Sequence, residues 1–112
     1  MPSGSASYPV GADALAGTAT LIKTGAVSLS GYHIFNTTAA SAYVQLYDAA
    51  TASSVTVGTT VHTLVLGIPA SSGACRSLSR PLKFTNGIVA ASTTAVAGAT
   101  GAIVAVEFDI SD

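Results

Sequence analysis

The chain has 112 residues, of which 49% are hydrophobic and only 8% are charged, and its net charge is −1. This length fits one domain, the apolar composition excludes a chain that is disordered throughout, and four basic residues neutralise too few phosphates for a nucleic-acid-binding protein. Alanine, serine, threonine and glycine supply 21, 14, 14 and 11 residues, which is 60 of the 112. A surface so poor in charge favours contact with other protein surfaces; the alternative is a plain domain coated with serine and threonine.

The first half of the chain predicts short β-strands behind an extended arm. Pro2, Gly4, Pro9 and Gly11 mark residues 1–17 as that arm, and residues 18–112 then form one domain. Alternating and β-branched residues predict strands over residues 20–23, 26–30, 32–36 and 42–48, with Gly31 as a stop or a bulge. We expect the last two of these strands to form a hairpin. Asp48 is expected to cap the turn that follows it.

The second half continues the same pattern. Strands are predicted over residues 61–69, 80–84, 88–92 and 102–110, with a further short one over 55–57. Residues 80–84 are expected at a sheet edge because Pro81 lacks a backbone donor. Asn86 and Gly87 fit a tight turn that needs a positive φ. Residues 70–78 and 93–101 are predicted to be loops, the first of which contains Cys75 and Arg76.

Eight short strands separated by frequent turn signals predict an all-β fold, either an antiparallel β-sandwich or a jelly-roll-like barrel. Two sheets of about four strands can enclose one core at this length. The alternation predicts the following side chains inside: Ile22, Leu29, Ile34, Val44, Leu46, Leu64, Leu66, Phe84, Ile88, Val104, Val106 and Phe108.

Residues 87–106 form a charge-free run long enough to cross a bilayer. Charge-free runs occur elsewhere in the chain as well, and this one contains serine, three threonines and three glycines. We therefore expect no contact with a membrane. The first residues lack the basic and apolar regions of a secretory signal, which favours assembly in the cytoplasm.

The sequence offers no recognisable catalytic motif, so we expect that the protein is not an enzyme and needs no cofactor. His33 and His62 lie on separate predicted strands, and no spacing brings a serine and an acid to either of them. Two histidines and scattered acids do not form a metal site unless symmetry gathers copies of one histidine on an axis. Cys75 is the only cysteine and has no partner for an internal disulfide.

Two groups of side chains are predicted to contact proteins. Arg76, Arg80 and Lys83 lie within eight positions and form either a docking patch for acidic side chains or a solvated edge that discourages strand pairing. Tyrosine is common at interfaces, so Tyr8, Tyr43 and Tyr47 are the other candidates. Tyr43, Gln45 and Tyr47 share one strand face, which is either a core layer or a subunit contact.

The order of several short motifs resembles that of small structural proteins of tailed bacteriophages. In that group a strand ending in Leu-Tyr-Asp, here residues 46–48, precedes a Val-Gly-Thr loop, here residues 57–59. An apolar strand ending in Ile-Pro, a Phe-x-x-Gly-Ile turn and a valine-rich last strand follow, here residues 64–69, 84–88 and 103–108. The proline that usually follows the Tyr-Asp strand is absent, and Cys75-Arg76 does not belong to the pattern, so no docking residues are transferred.

The resemblance implies a capsid decoration (cement) protein that holds the shell together from the outside of the virion head. Its expected partners are the major capsid protein and itself, as a homotrimer, with no nucleic acid and no membrane. The alternatives are another virion subunit of the tail, neck or head fibre, and a carbohydrate-binding β-sandwich. Sugar binding relies on exposed aromatic rings, and this chain has 6% aromatic residues and no tryptophan.

Overall fold

The computed structural model of the protein describes residues 6–9 and 15–111 and contains eight antiparallel strands. In chain order these are β1 Ala6–Pro9, β2 Thr20–Thr24, β3 Val27–Asn36, β4 Ala42–Asp48, β5 Leu64–Ile68, β6 Ser72–Phe84, β7 Gly87–Thr93 and β8 Ala105–Ser111. A short 3-10 turn, Ala52–Ser54, lies between β4 and β5. The predicted all-β sandwich is confirmed.

The strands form two four-stranded sheets, which we call sheet 1 (β1-β8-β3-β6) and sheet 2 (β2-β7-β4-β5). Strand β1 pairs with β8, β2 with β7, β3 with β6 and β4 with β5. The first four strands therefore pair antiparallel with the last four, from β1 with β8 inward to β4 with β5. Successive pairs alternate between the two sheets. This is the strand order of the double-sheet jelly roll.

The core lies between the two sheets and is built from alternate residues of each strand. Ten of the twelve predicted core side chains are buried, and the other two, Leu64 and Leu66 on the edge strand β5, are partly buried against the core. Several core residues were not predicted: Leu15, Val27, Ala42, Ile68, Ala90, Ala102 and Ile110. Leu15 enters the core from the predicted N-terminal arm, and its backbone bridges to Val104.

The predicted hairpin of residues 32–36 and 42–48 is wrong, because β3 belongs to sheet 1 and β4 to sheet 2. The connection between them crosses the sandwich at a corner that Asn36 holds together. The buried Nδ2 of Asn36 donates to the carbonyl oxygens of Ala40, Ile68 and Pro69 at 2.9, 3.2 and 3.1 Å. Its Oδ1 accepts from the backbone N–H of Thr38 at 2.9 Å. The side-chain amide of Asn36 thus hydrogen-bonds to several backbone groups. In a hairpin, such groups would pair with the neighbouring strand.

A second corner joins β6 of sheet 1 to β7 of sheet 2. The sequence predicts that Asp48 caps the turn that follows β4. In the structure Asp48 caps this distant corner instead. Its carboxylate accepts from the backbone N–H groups of Thr85 and Asn86 at 3.1 and 2.7 Å. Gly87 has a φ of 145°, and a Cβ there would lie 2.5 Å from the carbonyl oxygen of Lys23, so the corner requires glycine.

The predicted loop over residues 70–78 is also wrong, because most of it belongs to β6. That strand has 13 residues and pairs with β3 along its length. Its composition of serine, glycine and alanine gives a weak strand signal, so the pairing depends on the stronger neighbour β3. The predicted edge position is confirmed, because β6 is one of the two edge strands of sheet 1. Gly31 forms the bulge in β3, where the register with β6 shifts.

Two further expectations differ from the structure. Residues 55–57 form no strand, and Val55 packs instead beneath the loop that contains it. Within the predicted arm, Ala6–Pro9 form β1 on the edge of sheet 1, while residues 1–5 and 10–14 lie outside the described part of the chain.

The charge-free residues 87–106 form β7, the loop after it and the approach to β8. Among the described residues no helix is long and apolar enough to cross a membrane.

Candidate functional site

The two outer surfaces of the sandwich differ in kind. The outer face of sheet 2 is covered by residues 49–63 and 94–101, which we call the loop cap. The outer face of sheet 1 has no such cover, and we call it the open face. Five charged residues lie on strands of sheet 1, namely Arg76, Arg80, Lys83, Glu107 and Asp109, whereas the loop cap contains none.

A second, small core holds the loop cap onto sheet 2. The side chains of Tyr47 and Val89 on the sheet and Val55 in the cap are all buried, with alanines and Val57 packed around them. Tyr47 is only 1% exposed. Of the two alternatives for the Tyr43–Gln45–Tyr47 face, the core layer is therefore the one present. Tyr47 cannot serve as the exposed protein contact that the sequence suggested.

A chain of buried polar groups joins sheet 2 to the cap. The Tyr47 hydroxyl donates to Oε1 of Gln45, and Nε2 of Gln45 donates to Oγ1 of Thr93 at 2.8 Å and to the carbonyl oxygen of Gly98 at 3.1 Å. The Thr93 hydroxyl donates in turn to the carbonyl oxygen of Ala95 at 2.7 Å. Burial raises the pKa of the Tyr47 phenol above its ordinary value, and a backbone hydrogen bond from Gly58 opposes that shift. These bonds fix the two cap loops to the sheet.

The outside of the loop cap is uncharged, and small residues with two exposed valines make up its surface. Val61 is 87% exposed and Val96 is 47% exposed. Between the two loops lies a hollow of about 210 Å³, with Gln45 among its lining residues and Thr59, His62 and Ala97 around it. The His62 ring meets the Tyr47 ring edge-on, with centroids 6.5 Å apart. This uncharged surface, with two exposed valines beside a hollow, is suited to protein contact.

The open face is arranged in rows that run across β8, β3 and β6. The register places His33 between Glu107 and Cys75, and all three side chains are exposed. The next row toward the end of β3 places Phe35, which is 46% exposed, between Ala105 and Gly73. A shallow hollow of about 140 Å³ lies beside Phe35 on the β8 side. Acidic side chains thus lie on β8 and an aromatic ring at the centre.

The predicted basic group lies on β6, at one edge of sheet 1. Arg76, Arg80 and Lys83 are all exposed on β6, where the register is irregular between Ser77 and Leu82. Among the residues that the structure describes, none of these three takes part in an ion pair. The register pairs Arg76 with Tyr32, which packs against the core, so Arg76 does not lie in a row of the open face with Glu107.

The remaining predicted site residues are dispersed. Tyr43 is half-buried on the outer face of β4, whereas the Tyr8 side chain lies outside the described part, although its backbone pairs with Phe108 in β1. His33 lies on sheet 1 and His62 in the loop cap, so they share no site. Within the described ranges no group of three or more His, Cys, Asp or Glu side chains could hold a metal ion.

Two features of these surfaces were not predicted from the sequence. The loop cap escaped notice because its alanines, serines and threonines have no periodicity that distinguishes a packed cover from a solvated loop. The one sequence feature that indicates the cap is the polar pair Gln45 and Tyr47 on an otherwise apolar strand, and both residues are buried. Phe35 was not named as a candidate contact, although the prediction that Ile34 lies inside places the next side chain on the outer face.

Comparisons with protein-family models, with curated proteins and with solved structures give no match.

Proposed function

We propose that the protein is a bacteriophage capsid decoration (cement) protein, which binds the outer surface of the virion head and stabilises the shell through many protein contacts. The observation that carries this proposal is the loop cap, an uncharged surface with Val61 and Val96 exposed and a buried network beneath it. We propose the cap as the surface that meets the major capsid protein. The motif order described above gives independent support.

The chemistry of the cap suits repeated docking. An uncharged surface loses little hydration free energy when it is covered, whereas burying an unpaired charge is costly. The cap is already ordered, so docking loses little conformational entropy. Each contact can then be weak, because many copies on one particle act together to resist disruption of the shell.

The jelly-roll topology is compatible with this function but does not select it. Viral capsid domains use this topology, and so do lectins, and a shared fold does not imply a shared function. The exposed apolar residues of the cap are valines, whereas sugar recognition favours aromatic faces. The head location and the homotrimer that the resemblance implies remain predictions.

The test uses heads produced from the phage genome that encodes the chain, with its coding sequence deleted. The added protein is expected to cosediment with these heads and to raise their disruption temperature. Val61→Asp places a charge on the cap and is expected to weaken binding by at least about tenfold, while leaving the free energy of unfolding within about 0.5 kcal/mol. Ser79→Asp, which adds the same charge on β6, is the matched control and should bind as the unmodified chain does.

Three results would contradict the proposal. The unmodified chain could fail to bind the heads, Val61→Asp could bind as well as Ser79→Asp, or antibody labelling of intact virions could mark the tail. The last result would assign the chain to another virion subunit, and strong binding on a glycan array would support the carbohydrate-binding alternative instead.

A further inference from the structure

We infer that the hollow in the loop cap is a socket for one aromatic side chain of the partner that the cap binds. The inference rests on the proposed function, which makes that partner the major capsid protein, and it adds the chemical class of the group that enters. The hollow has a volume of about 210 Å³. Residues 58–62 and Ala97 surround it, and the buried side chain of Gln45 lies at its base.

The two loops that form the walls of the socket touch each other. Gly58 has a φ of 90°, a region that favours glycine, and a Cβ there would lie 2.9 Å from the Cβ of Ala99 in the other loop. Within the first wall, the carbonyl oxygen of Thr56 accepts from the backbone N–H groups of Thr59 and Thr60 at 3.0 and 2.8 Å. The Oγ1 of Thr60 accepts from the N–H of Thr56 at 2.8 Å. This wall is therefore a closed, hydrogen-bonded turn.

Both walls are also bonded to sheet 2. The backbone N–H of Gly58 donates to the hydroxyl of Tyr47, and the carbonyl oxygen of Gly98 accepts from Nε2 of Gln45 at 3.1 Å. The socket is therefore formed before a partner arrives. Its occupation requires little further ordering of either loop, so little conformational entropy is lost on binding.

The base of the hollow offers no free donor to a ligand. Gln45 is only 1% exposed, the two N–H groups of its amide bond to Thr93 and Gly98, and its Oε1 accepts from Tyr47. None of the residues that line the hollow is an acid, a lysine or an arginine. A charged group would lose its hydration here without gaining an ion pair, whereas an apolar group has no such cost. The chemistry of the hollow therefore selects an apolar occupant.

The size and one wall of the hollow favour a ring. A closed cavity of about 150 Å³ is enough to bind benzene, so a hollow of about 210 Å³ accommodates one phenyl group. The His62 ring forms part of the wall and meets the buried Tyr47 ring edge-on, with centroids 6.5 Å apart. An incoming ring can pack on His62 in the same manner. Aromatic side chains are also common anchors of protein interfaces, in which leucine and valine are under-represented.

Exposed valines surround the socket. Val61 lines the hollow and is 87% exposed, and Val96, next to Ala97, is 47% exposed. When a ring enters, these valines contact the surface around it and exclude water, as the residues around an interface hot spot do. The socket thus gives the cap an anchoring point that a flat uncharged surface lacks.

N-acetyl-phenylalaninamide is a probe that carries the proposed side chain alone. An NMR titration of the unmodified chain with this probe should shift the signals of Gly58, His62 and Ala97, with a Kd of about 1–10 mM. N-acetyl-alaninamide, which lacks the ring, should cause no such shifts. Ala97→Phe fills the hollow with the chain's own ring and should weaken probe binding at least about tenfold. Ser53→Phe adds the same ring to an exposed position of the cap outside the hollow, so it is the matched control and should bind the probe normally.

Binding to the heads that lack the protein connects the socket to the partner. Ala97→Phe is expected to bind them at least about tenfold more weakly than the unmodified chain, with an unchanged midpoint of urea unfolding because Ala97 is exposed. Absence of probe-induced shifts at the hollow, or head binding by Ala97→Phe equal to that of the unmodified chain, would overturn the inference and leave the proposed function in place. Failure of the unmodified chain to bind heads would instead overturn the proposed function, and the probe titration alone would then decide whether the hollow takes an aromatic ring.

Discussion

The loop cap and the open face show how one sandwich can present two different surfaces. Each lies outside a sheet of four strands, but the outer face of sheet 2 is partly buried, and all seven residues of β7 are buried. In sheet 1 the outer residues alternate with buried ones, as in β8, where Glu107 and Asp109 are exposed between buried neighbours. Covering one sheet with the chain's own loops leaves the few charges of this protein concentrated on the other sheet. The position of the charged residues in the fold, rather than their number in the chain, therefore distinguishes the two surfaces.

The largest expected difference between the two surfaces concerns their aromatic residues. Tyr47→Ala should lower the free energy of unfolding by about 4 kcal/mol, because it empties the small core beneath the cap and leaves Gln45 with an unused acceptor. Phe35→Ala, on the open face, should cost about 1 kcal/mol because that ring is already half exposed. Urea unfolding of the two variants measures the difference. Equal losses would show that the cap packs no more firmly than the open face.

A smaller effect is expected from the polar network that anchors the cap. Gln45→Ala should cost about 2 kcal/mol, because the Tyr47 hydroxyl loses its acceptor and the carbonyl oxygen of Gly98 loses a donor. Amide hydrogen exchange should accelerate in residues 94–101 and remain unchanged in β8. Thr59→Ala, at the rim of the same hollow, is the control and should change neither quantity. Unchanged exchange in the cap would mean that packing alone holds these loops.

The smallest effect is a pH dependence that only the capped side should show. The pKa of Tyr47 is raised in the folded chain, so the folded state keeps this proton at pH values where the unfolded state, with a pKa of about 10, has lost it. The stabilisation is therefore complete below pH of about 10 and declines as the pH rises through the folded pKa. Unfolding titrations between about pH 9 and 11 should show this decline, and Tyr47→Phe should reduce it. A decline of equal size in Tyr47→Phe would assign it to other groups.

Strand identity was predictable wherever alternation was strong. Residues 42–48 and 102–110 carry clear two-residue periods, and they overlap strands β4 and β8 of the structure. The partners of those strands were not predictable from the same pattern. The connection of residues 37–41 has the length of a hairpin loop, yet it crosses between sheets because Asn36 bonds to the end of β5, more than 30 residues away. No local signal distinguishes such a corner from a turn.

For the same reason, the candidate site could be predicted from the sequence only in part. The clustering of Arg76, Arg80 and Lys83 is visible in the sequence, but only the pairing of β6 with β3 shows that Arg76 lies beside Tyr32, on the core side of the sheet. Tyr47 has the alternation of an interface residue and is buried by a loop that has no periodic pattern. Asp48 was recognised as a cap, but the backbone that it caps lies at residues 85–86.

The sequence by itself determined the class of this protein: its apolar, β-branched alternation demands strands with a buried face, and its scarcity of charge leaves surfaces suited to contact. Only the tertiary structure decided which strands pair, which sheet its loops cover and where its few charges gather. The physical reason is range, since alternation is set by neighbouring residues, whereas pairing, covering and the meeting of charges depend on contacts between segments far apart in the chain.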